Sequence, residues 1–294
     1  MKSPNPIIPV AVLATAAFTV AIALLATPVT TRADFAPLSD SFDGSALDAE
    51  TWTSAKTSSS GSVSVNDGKL LANVGSTGST QRSLIISTRK DFDPFAQALT
   101  FSFSDLSISG TPATTGANVF YALVGNIDTD AAGDGTSHNY RPGTGPANGT
   151  GYLSVVVAHY VDVWKILLYT NASSSQSFTI SGAPTSFTWT VDGTSATPSW
   201  TLSLDGATFS DGESNKSGAY SSVTHSLFTT NGSYLAIGAY NLTANTDAAG
   251  PTGISLGAVD VTAVTAVPEP AAVAGLLGMG CLTIALGCRH LRRL

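Results

Sequence analysis

The sequence predicts an all-β sandwich, and three observations carry that expectation. Apolar and polar residues alternate with a period of two at several places, the pattern of a strand with one buried and one wet face. Ser, Thr, Gly and Asn dominate residues 34–266, which show no convincing helical periodicity. Cys281 and Cys288, the chain's two cysteines, both lie in an apolar run near the C-terminal end. The middle segment therefore has no disulfide or thiolate metal site and must stand on its hydrophobic core, for which its length is ample.

The candidate strands follow in chain order. Ser62–Val65, Lys69–Val74 and Ser83–Thr88 are short runs of strand-forming residues. Leu99, Phe101 and Phe103 then alternate with Thr100, Ser102 and Ser104. Val119–Val124, Leu153–Ala158 and Val161–Tyr169 are apolar on both faces, which places them at the centre of a sheet. Phe187, Trp189 and Val191 alternate with Ser186, Thr188 and Thr190, and Trp200, Leu202 and Leu204 with Thr201 and Ser203. Both runs end at Asp-Gly, at Asp192-Gly193 and Asp205-Gly206, a signal for a tight hairpin. Tyr234–Tyr240 and Ile254–Val264 complete the set. Short strands with turns between them mean a sandwich or a barrel. The long connections 126–149 and 205–226 favour the sandwich.

Composition excludes some partners. Of the 13 Lys and Arg, Lys2, Arg32, Arg289, Arg292 and Arg293 lie near the ends, whereas Glu269 is the only one of the 20 acidic residues that does. The middle is thus more acidic than the whole chain's net charge of −7. It carries no electrostatic footprint for nucleic acid or for anionic lipid.

Both ends read as addresses. Lys2 gives a short positive start, Ile7–Leu25 is apolar apart from Pro9, Thr15 and Thr19, and Thr31-Arg32-Ala33 suits cleavage between Ala33 and Asp34. An uncleaved anchor is the alternative there. At the other end Val267-Pro268-Glu269-Pro270 is rigid and extended, because each proline fixes φ and removes a backbone donor. Ala271–Cys288 carries no charge and is long enough to cross a membrane core as a helix. Arg289, Arg292 and Arg293 close the chain as a cluster expected on the cytoplasmic side. In order and spacing these parts resemble the PEP-CTERM sorting signal of Gram-negative, polysaccharide-producing bacteria. The resemblance implies Sec export, a transient stay in the inner membrane, cleavage by an exosortase, and delivery to the cell surface or extracellular matrix. A plain stop-transfer anchor is the alternative. The expected organisation is a signal peptide at 1–33, a β-sandwich at 34–266, and a sorting signal with a transmembrane helix at 267–294.

A second resemblance lies at the start of the middle segment. Asp40-Ser41-Phe42-Asp43-Gly44, Leu47-Asp48 and Trp52, followed by Asp67-Gly68-Lys69-Leu70, resemble the opening of concanavalin-A-like jelly-roll domains, among them laminin-G-like modules and family 16 glucanases. This implies a concanavalin-like jelly-roll β-sandwich whose first edge strand is sealed by aromatic residues. Family 16 glucanases carry Glu-x-Asp-x-x-Glu on one strand, a motif this chain lacks. Its glutamates are Glu50, Glu213 and Glu269 alone, and retaining glycosidases need two carboxylates about 5 Å apart. An Asp pair drawn from Asp162, Asp192 and Asp205 would be the remaining route to a divergent glycoside hydrolase. Gly-x-Ser-x-Gly is absent, and His138, His159 and His225 show no zinc spacing.

The best ligand-like stretch runs from Asn126 to Tyr152. Asp128, Asp130 and Asp134 sit on a Gly-bearing loop as candidate calcium ligands, although the spacing departs from an EF-hand and a solvated turn is the alternative. Tyr140, Arg141, Asn148 and Tyr152 follow as candidate glycan contacts, since rings stack on pyranose faces and amides bond to hydroxyls. Trp52, Trp189 and Trp200 share faces with aliphatic residues or seal the edge and are expected in the core; Trp164 is ambiguous. The expectation is a non-catalytic exported protein with an extracellular polysaccharide as its candidate ligand.

Overall fold

Alternation along residues 99–104 buries Leu99, Phe101 and Phe103, leaves Thr100 and Ser102 half-buried, and exposes Ser104. The same rule sorts much of the chain into strands in the computed structural model, which describes residues 35–56, 61–74, 82–112, 116–125, 152–170, 173–220, 232–242 and 253–264. By its contacts the chain divides into Met1–Ala36 and Pro37–Leu294, and every strand below belongs to the second unit.

In chain order the strands are β1 (Leu38–Asp40), β2 (Trp52–Lys56), β3 (Ser62–Asn66), β4 (Lys69–Asn73), β5 (Arg82–Ser87), β6 (Leu99–Ser104), β7 (Ser107–Ser109), β8 (Ala117–Gly125) and β9 (Tyr152–His159). They continue with β10 (Trp164–Thr170), β11 (Ser173–Ile180), β12 (Ser186–Asp192), β13 (Ser199–Asp205), β14 (Asn215–Ala219), β15 (Tyr234–Leu242), β16 (Gly253–Leu256) and β17 (Ala258–Ala263). No helix occurs among the described residues. A six-stranded sheet is ordered β1-β17-β6-β12-β13-β14, a seven-stranded sheet β11-β10-β9-β8-β15-β5-β2, and a four-stranded sheet β3-β4-β16-β7. Every strand pair is antiparallel.

The two large sheets meet through aromatic rings. Phe120 of β8 lies edge-on to Phe103 of β6 at 5.3 Å and to Phe187 of β12 at 5.7 Å between centroids. Edge-to-face contacts of this kind add to the burial of the rings themselves. Trp189 is fully buried in the same layer and donates from Nε1 to Tyr220 Oη at 3.0 Å, so neither polar group is left stranded. The outward positions of the six-stranded sheet carry hydroxyls instead, with Thr100 and Thr190 bonded across the strands at 2.9 Å. The four-stranded sheet is tied to β5 and β8 by bonds from Ser83 Oγ to Asn73 O and from Asn118 Nδ2 to Ser109 O.

Side chains close both lateral edges. On one, Asp40 of β1 accepts from Trp52 Nε1 of β2 at 2.7 Å and from the backbone N–H of Phe42 at 2.8 Å. That second bond holds Phe42 at φ 50, a left-handed conformation costly for a bulky side chain, and both rings are buried. The expected aromatic seal is present, with Trp52 contributed by the edge of the opposite sheet. On the other edge Gln176 Nε2 of β11 donates to Ala219 O of β14 at 2.9 Å, and Ile180 bridges to Phe209.

The runs expected at the centre of a sheet are there, as β8, β9 and β10 are each paired on both sides. Several local expectations need correction. Asp192-Gly193 and Asp205-Gly206 do not form two-residue hairpins, because residues 193–198 and 206–214 separate the paired strands. Gly193 instead donates to Pro94 O at 3.0 Å. The tight hairpin is Asp67-Gly68, with φ of 52 and 72 and Asn66 paired to Lys69, the signature of a type I′ turn. Residues 161–163 form a turn ahead of β10, and the run 254–264 is divided at Gly257. Trp52, Trp189 and Trp200 are core residues as expected.

Candidate functional site

The seven-stranded sheet has two apolar faces. One carries Phe120 and meets the six-stranded sheet, and Tyr121 therefore points to the other. Register assembles that second face in rows. Arg82 pairs with Tyr240, Tyr240 with Val119, Val119 with Ala158, and Ala158 with Lys165. The next row runs Leu84, Gly238, Tyr121, Val156 and Leu167, and the one after it Ile86, Ala236, Leu123, Ser154 and Tyr169. Tyr234, Gly125 and Tyr152 form a fourth. Tyr121, Tyr152 and Tyr240 are buried in one cluster, with Tyr160, Tyr169 and Tyr234 partly buried against it. On β9 the positions of this face between Tyr152 and Tyr160 are Ser154, Val156 and Ala158.

The tyrosines converge. Burial first, then the neighbouring Tyr160, Tyr240 and Tyr152, push the Tyr169 hydroxyl up to about 12. Burial, followed by Tyr240, raises Tyr160 in the same sense. These hydroxyls stay protonated through neutral pH, so they act as hydrogen-bond donors and stacking surfaces and not as bases. Lys165 Nζ lies 5.4 Å from the centroid of the Tyr160 ring, and the Arg82 guanidinium, on a residue only 2 % exposed, lies 5.9 Å from that of Tyr240. The oxygens of Ser154 and Tyr240 are buried with no hydrogen-bond partner among the described residues. Beside this face, His159 and Trp164 stack at 4.0 Å with an interplanar angle of 4°, and burial lowers the His159 pKa. Among the described residues no strand position on this face carries Asp or Glu.

Raised tyrosine pKa values set a pH limit. A group held protonated by the fold contributes stability that is whole below its unfolded pKa and is lost as pH rises through its folded value. Alkaline unfolding is therefore expected to set in above about pH 10 and to deepen towards the Tyr169 value of about 12. Circular dichroism followed against tyrosinate absorbance checks this. Full tyrosinate absorbance at pH 11 with the fold intact would contradict it.

A concavity of about 230 Å³ lies against the opening motif, lined in part by Asp40, Asp43 and Asp48. Its carboxylates are largely committed to structure. Asp40 holds Trp52 and Phe42, while Asp48 accepts from the Thr51 hydroxyl and the Glu50 N–H, which lower its pKa in that order. The described residues contain no group of three or more His, Cys, Asp or Glu placed to hold a metal ion.

Of the residues singled out from sequence, Tyr152 alone among the candidate ligand contacts is described. It opens β9 and is fully buried in the tyrosine cluster, not displayed on a loop. Tyr140, Arg141, Asn148, Asp128, Asp130 and Asp134 lie outside the described residues, as do Ala33, Asp34, Val267, Pro268, Glu269, Pro270, Arg289, Arg292 and Arg293. Asp162 and Asp205 are exposed and Asp192 is half-buried. Asp192 and Asp205 are on the six-stranded sheet and Asp162 is in the β9–β10 turn, so the three do not gather. Sequence reasoning missed Tyr121, Tyr160, Tyr169, Tyr234, Tyr240, Arg82 and Lys165. A signal was present: Tyr152 and Tyr160, and in β15 Tyr234 and Tyr240, fall at even separations, on one face of runs that looked uniformly apolar.

No family model and no curated protein sequence matches the chain. Among solved structures it is similar to an endo-1,3-β-glucanase from Streptomyces sioyaensis, at 16% identity and a TM-score of 0.45 over 79% of this chain and 97% of the glucanase. It is also similar to lectin II from Ulex europaeus, at 10% identity and a TM-score of 0.47 over 78% of this chain and 99% of the lectin. A pseudo β-1,3-glucanase of Mycobacterium tuberculosis gives 10% identity and a TM-score of 0.44 over 77% and 98% of the two chains.

Proposed function

We propose that this is an exported, non-catalytic surface or matrix protein of the concanavalin-like type that binds glycan on the tyrosine-lined face of its seven-stranded sheet. It is delivered by an N-terminal signal peptide and processed by an exosortase at the Pro268-Glu269-Pro270 signal. The observation that carries the binding role is that Tyr160 and Tyr169 stand partly exposed at the margin of the buried tyrosine cluster. Aromatic rings with protonated hydroxyls suit a sugar, which offers an apolar ring face and a rim of hydroxyls. Glycoside hydrolysis instead asks for paired carboxylates across the scissile bond, and the described strands offer none on this face.

Two measurements test the reading. Intact mass of the protein recovered from outside its host should end near Val267–Pro270; an end at Leu294 would replace sorting by a plain anchor. Retention of that protein in gels cast with the host's own extracellular polysaccharide should weaken about tenfold in Tyr169→Ala, the usual cost of truncating an aromatic contact, and much less in Tyr169→Phe. Indifference to every polysaccharide tried would remove the binding role. Release of new reducing ends would make the protein a carbohydrate-active enzyme.

A further inference from the structure

Resting on the sorting-signal reading, in which Ala271–Cys288 spans the membrane until cleavage, we propose that the anchored sandwich stands end-on upon the bilayer. Its 91–98 and 193–198 loops face the lipid, and its β9–β10 turn is held outwards, towards the polysaccharide. Register defines the two ends. β17 finishes at one of them, where Ala263 pairs with Leu99 and Val264 donates to Ala98 O at 2.8 Å. The 193–198 loop adjoins it, since Leu99 pairs with Val191 and Gly193 donates to Pro94 O at 3.0 Å. Phe92 donates to Ser233 O at 3.0 Å, which ties this end to the start of β15. There Tyr234 pairs with Gly125, and Gly125 with Tyr152. β9 therefore begins at the end where β17 stops, and its turn into β10 lies at the other. The chain also enters the six-stranded sheet at the first end, because Leu38 of β1 pairs with Val261.

Chain length decides which end faces the lipid. Residues 265–270 are all that separates Val264 from the apolar run, and fully extended they reach roughly 20–25 Å. The interfacial layer of one leaflet takes up about 5–7 Å of that. β9 alone, from Tyr152 to His159, rises roughly 25 Å. With the β9–β10 turn on the membrane, Val264 would stand roughly 30 Å from the hydrocarbon, beyond the reach of the tether. Lying on the six-stranded sheet would instead press Asp192, Asp205 and Asp260 against lipid, at a desolvation cost for each carboxylate. No described outward position on the strands of that sheet offers a Lys or Arg in compensation. End-on placement meets neither obstacle, since Thr194–Thr197 are exposed and uncharged. The large hydrophobic residues left exposed among those described, Val161 and Val264, fall at opposite ends. Val264 is where the chain leaves for the membrane, and Val161 is in the outer turn beside partly exposed Tyr160 and Trp164. Tyr160, at the margin of the tyrosine cluster, is thus turned outwards while the protein is still anchored.

The test places a probe at each end of the full-length protein. Cys281→Ala and Cys288→Ala remove the chain's own thiols, and Ala196→Cys or Asp162→Cys, both at exposed positions, then carries a fluorophore. The protein is reconstituted into phosphatidylethanolamine–phosphatidylglycerol vesicles in which some lipids bear a nitroxide headgroup, a contact-range quencher. The dye at position 196 should be quenched several-fold more strongly than the dye at 162. A Gly-Ser spacer of about forty residues inserted after Thr265, with a coil dimension of roughly 35 Å, should remove that difference. Equal quenching without the spacer, or stronger quenching at 162, would overturn the end-on placement. A difference that survives the spacer would show that the tether does not set the orientation, and would also overturn the proposal. Failure of the protein to float with the vesicles is a separate result: it would overturn the anchor reading itself, and the proposal with it.

Discussion

Phe120→Ala is expected to destabilise the protein by about 3–5 kcal/mol, the range for deleting a buried aromatic ring. Phe120 is fully buried and is the ring through which the seven-stranded sheet touches both Phe103 and Phe187 of the facing sheet. Alanine would remove the partner of two edge-to-face contacts and leave a cavity between layers whose strands are held by their ladders and cannot close over it. For a domain of this size the loss corresponds to a melting temperature lower by on the order of 10 °C. Phe120→Leu, which refills most of the space, should recover the larger part. A Phe120→Ala variant melting within a degree or two of the parent would mean that the layers do not rest on this ring.

The second large effect is expected at a glycine. A Cβ on Gly238 of β15 would stand 2.5 Å from Ser83 O, 2.6 Å from Leu84 Cβ and 2.9 Å from Leu84 Cα. All three belong to the paired strand β5, two in its backbone and one fixed directly to it, so no rotamer change makes room. Gly238→Ala must push β15 from β5, at a cost of about 1–3 kcal/mol or more, and it would tilt the row that carries Tyr121. Gly182→Ala is the control. A Cβ there meets nothing within 4 Å, and restricting the unfolded chain should leave stability unchanged or raise it by about 0.4–1 kcal/mol. Urea denaturation of both variants decides the matter; equal stability would show that β5 and β15 have slack between them.

The strands most legible in the sequence were those with one dry and one wet face. β6, β12 and β13 announce themselves because a period of two is the geometry of the strand itself, and their Thr and Ser partners remain at least partly in contact with water. Less legible was β11, whose serines at 173, 174 and 175 carry no apolar stripe and which lies at a sheet edge. The Asp-Gly pairs misled for a related reason. A dipeptide can favour a turn, yet how many residues separate two paired strands depends on where the partner strand ends. Among the described Asp-Gly pairs, turn chemistry and register agree at Asp67-Gly68.

The candidate site was legible in one residue. Tyr152 was chosen for its aromatic ring beside a polar loop, and it does join the cluster, but as a buried strand residue. Its companions were hidden because β8, β9, β10 and β15 are apolar on both faces, so alternation gives no contrast by which to sort one face from the other.

By itself the sequence determined the class of structure: antiparallel strands with the tryptophans Trp52, Trp189 and Trp200 inside, no disulfide to hold them, and an acidic surface around them. Those properties follow from residue type and local period. Only the tertiary structure decided which tyrosines share a face, that Lys165 and Arg82 stand in one row with Tyr240, and that Asp40 is spent on Trp52. The physical reason is register. A site on a sheet is written across strands far apart in the chain, and a slip of one residue in any pairing would send its side chains to the opposite face.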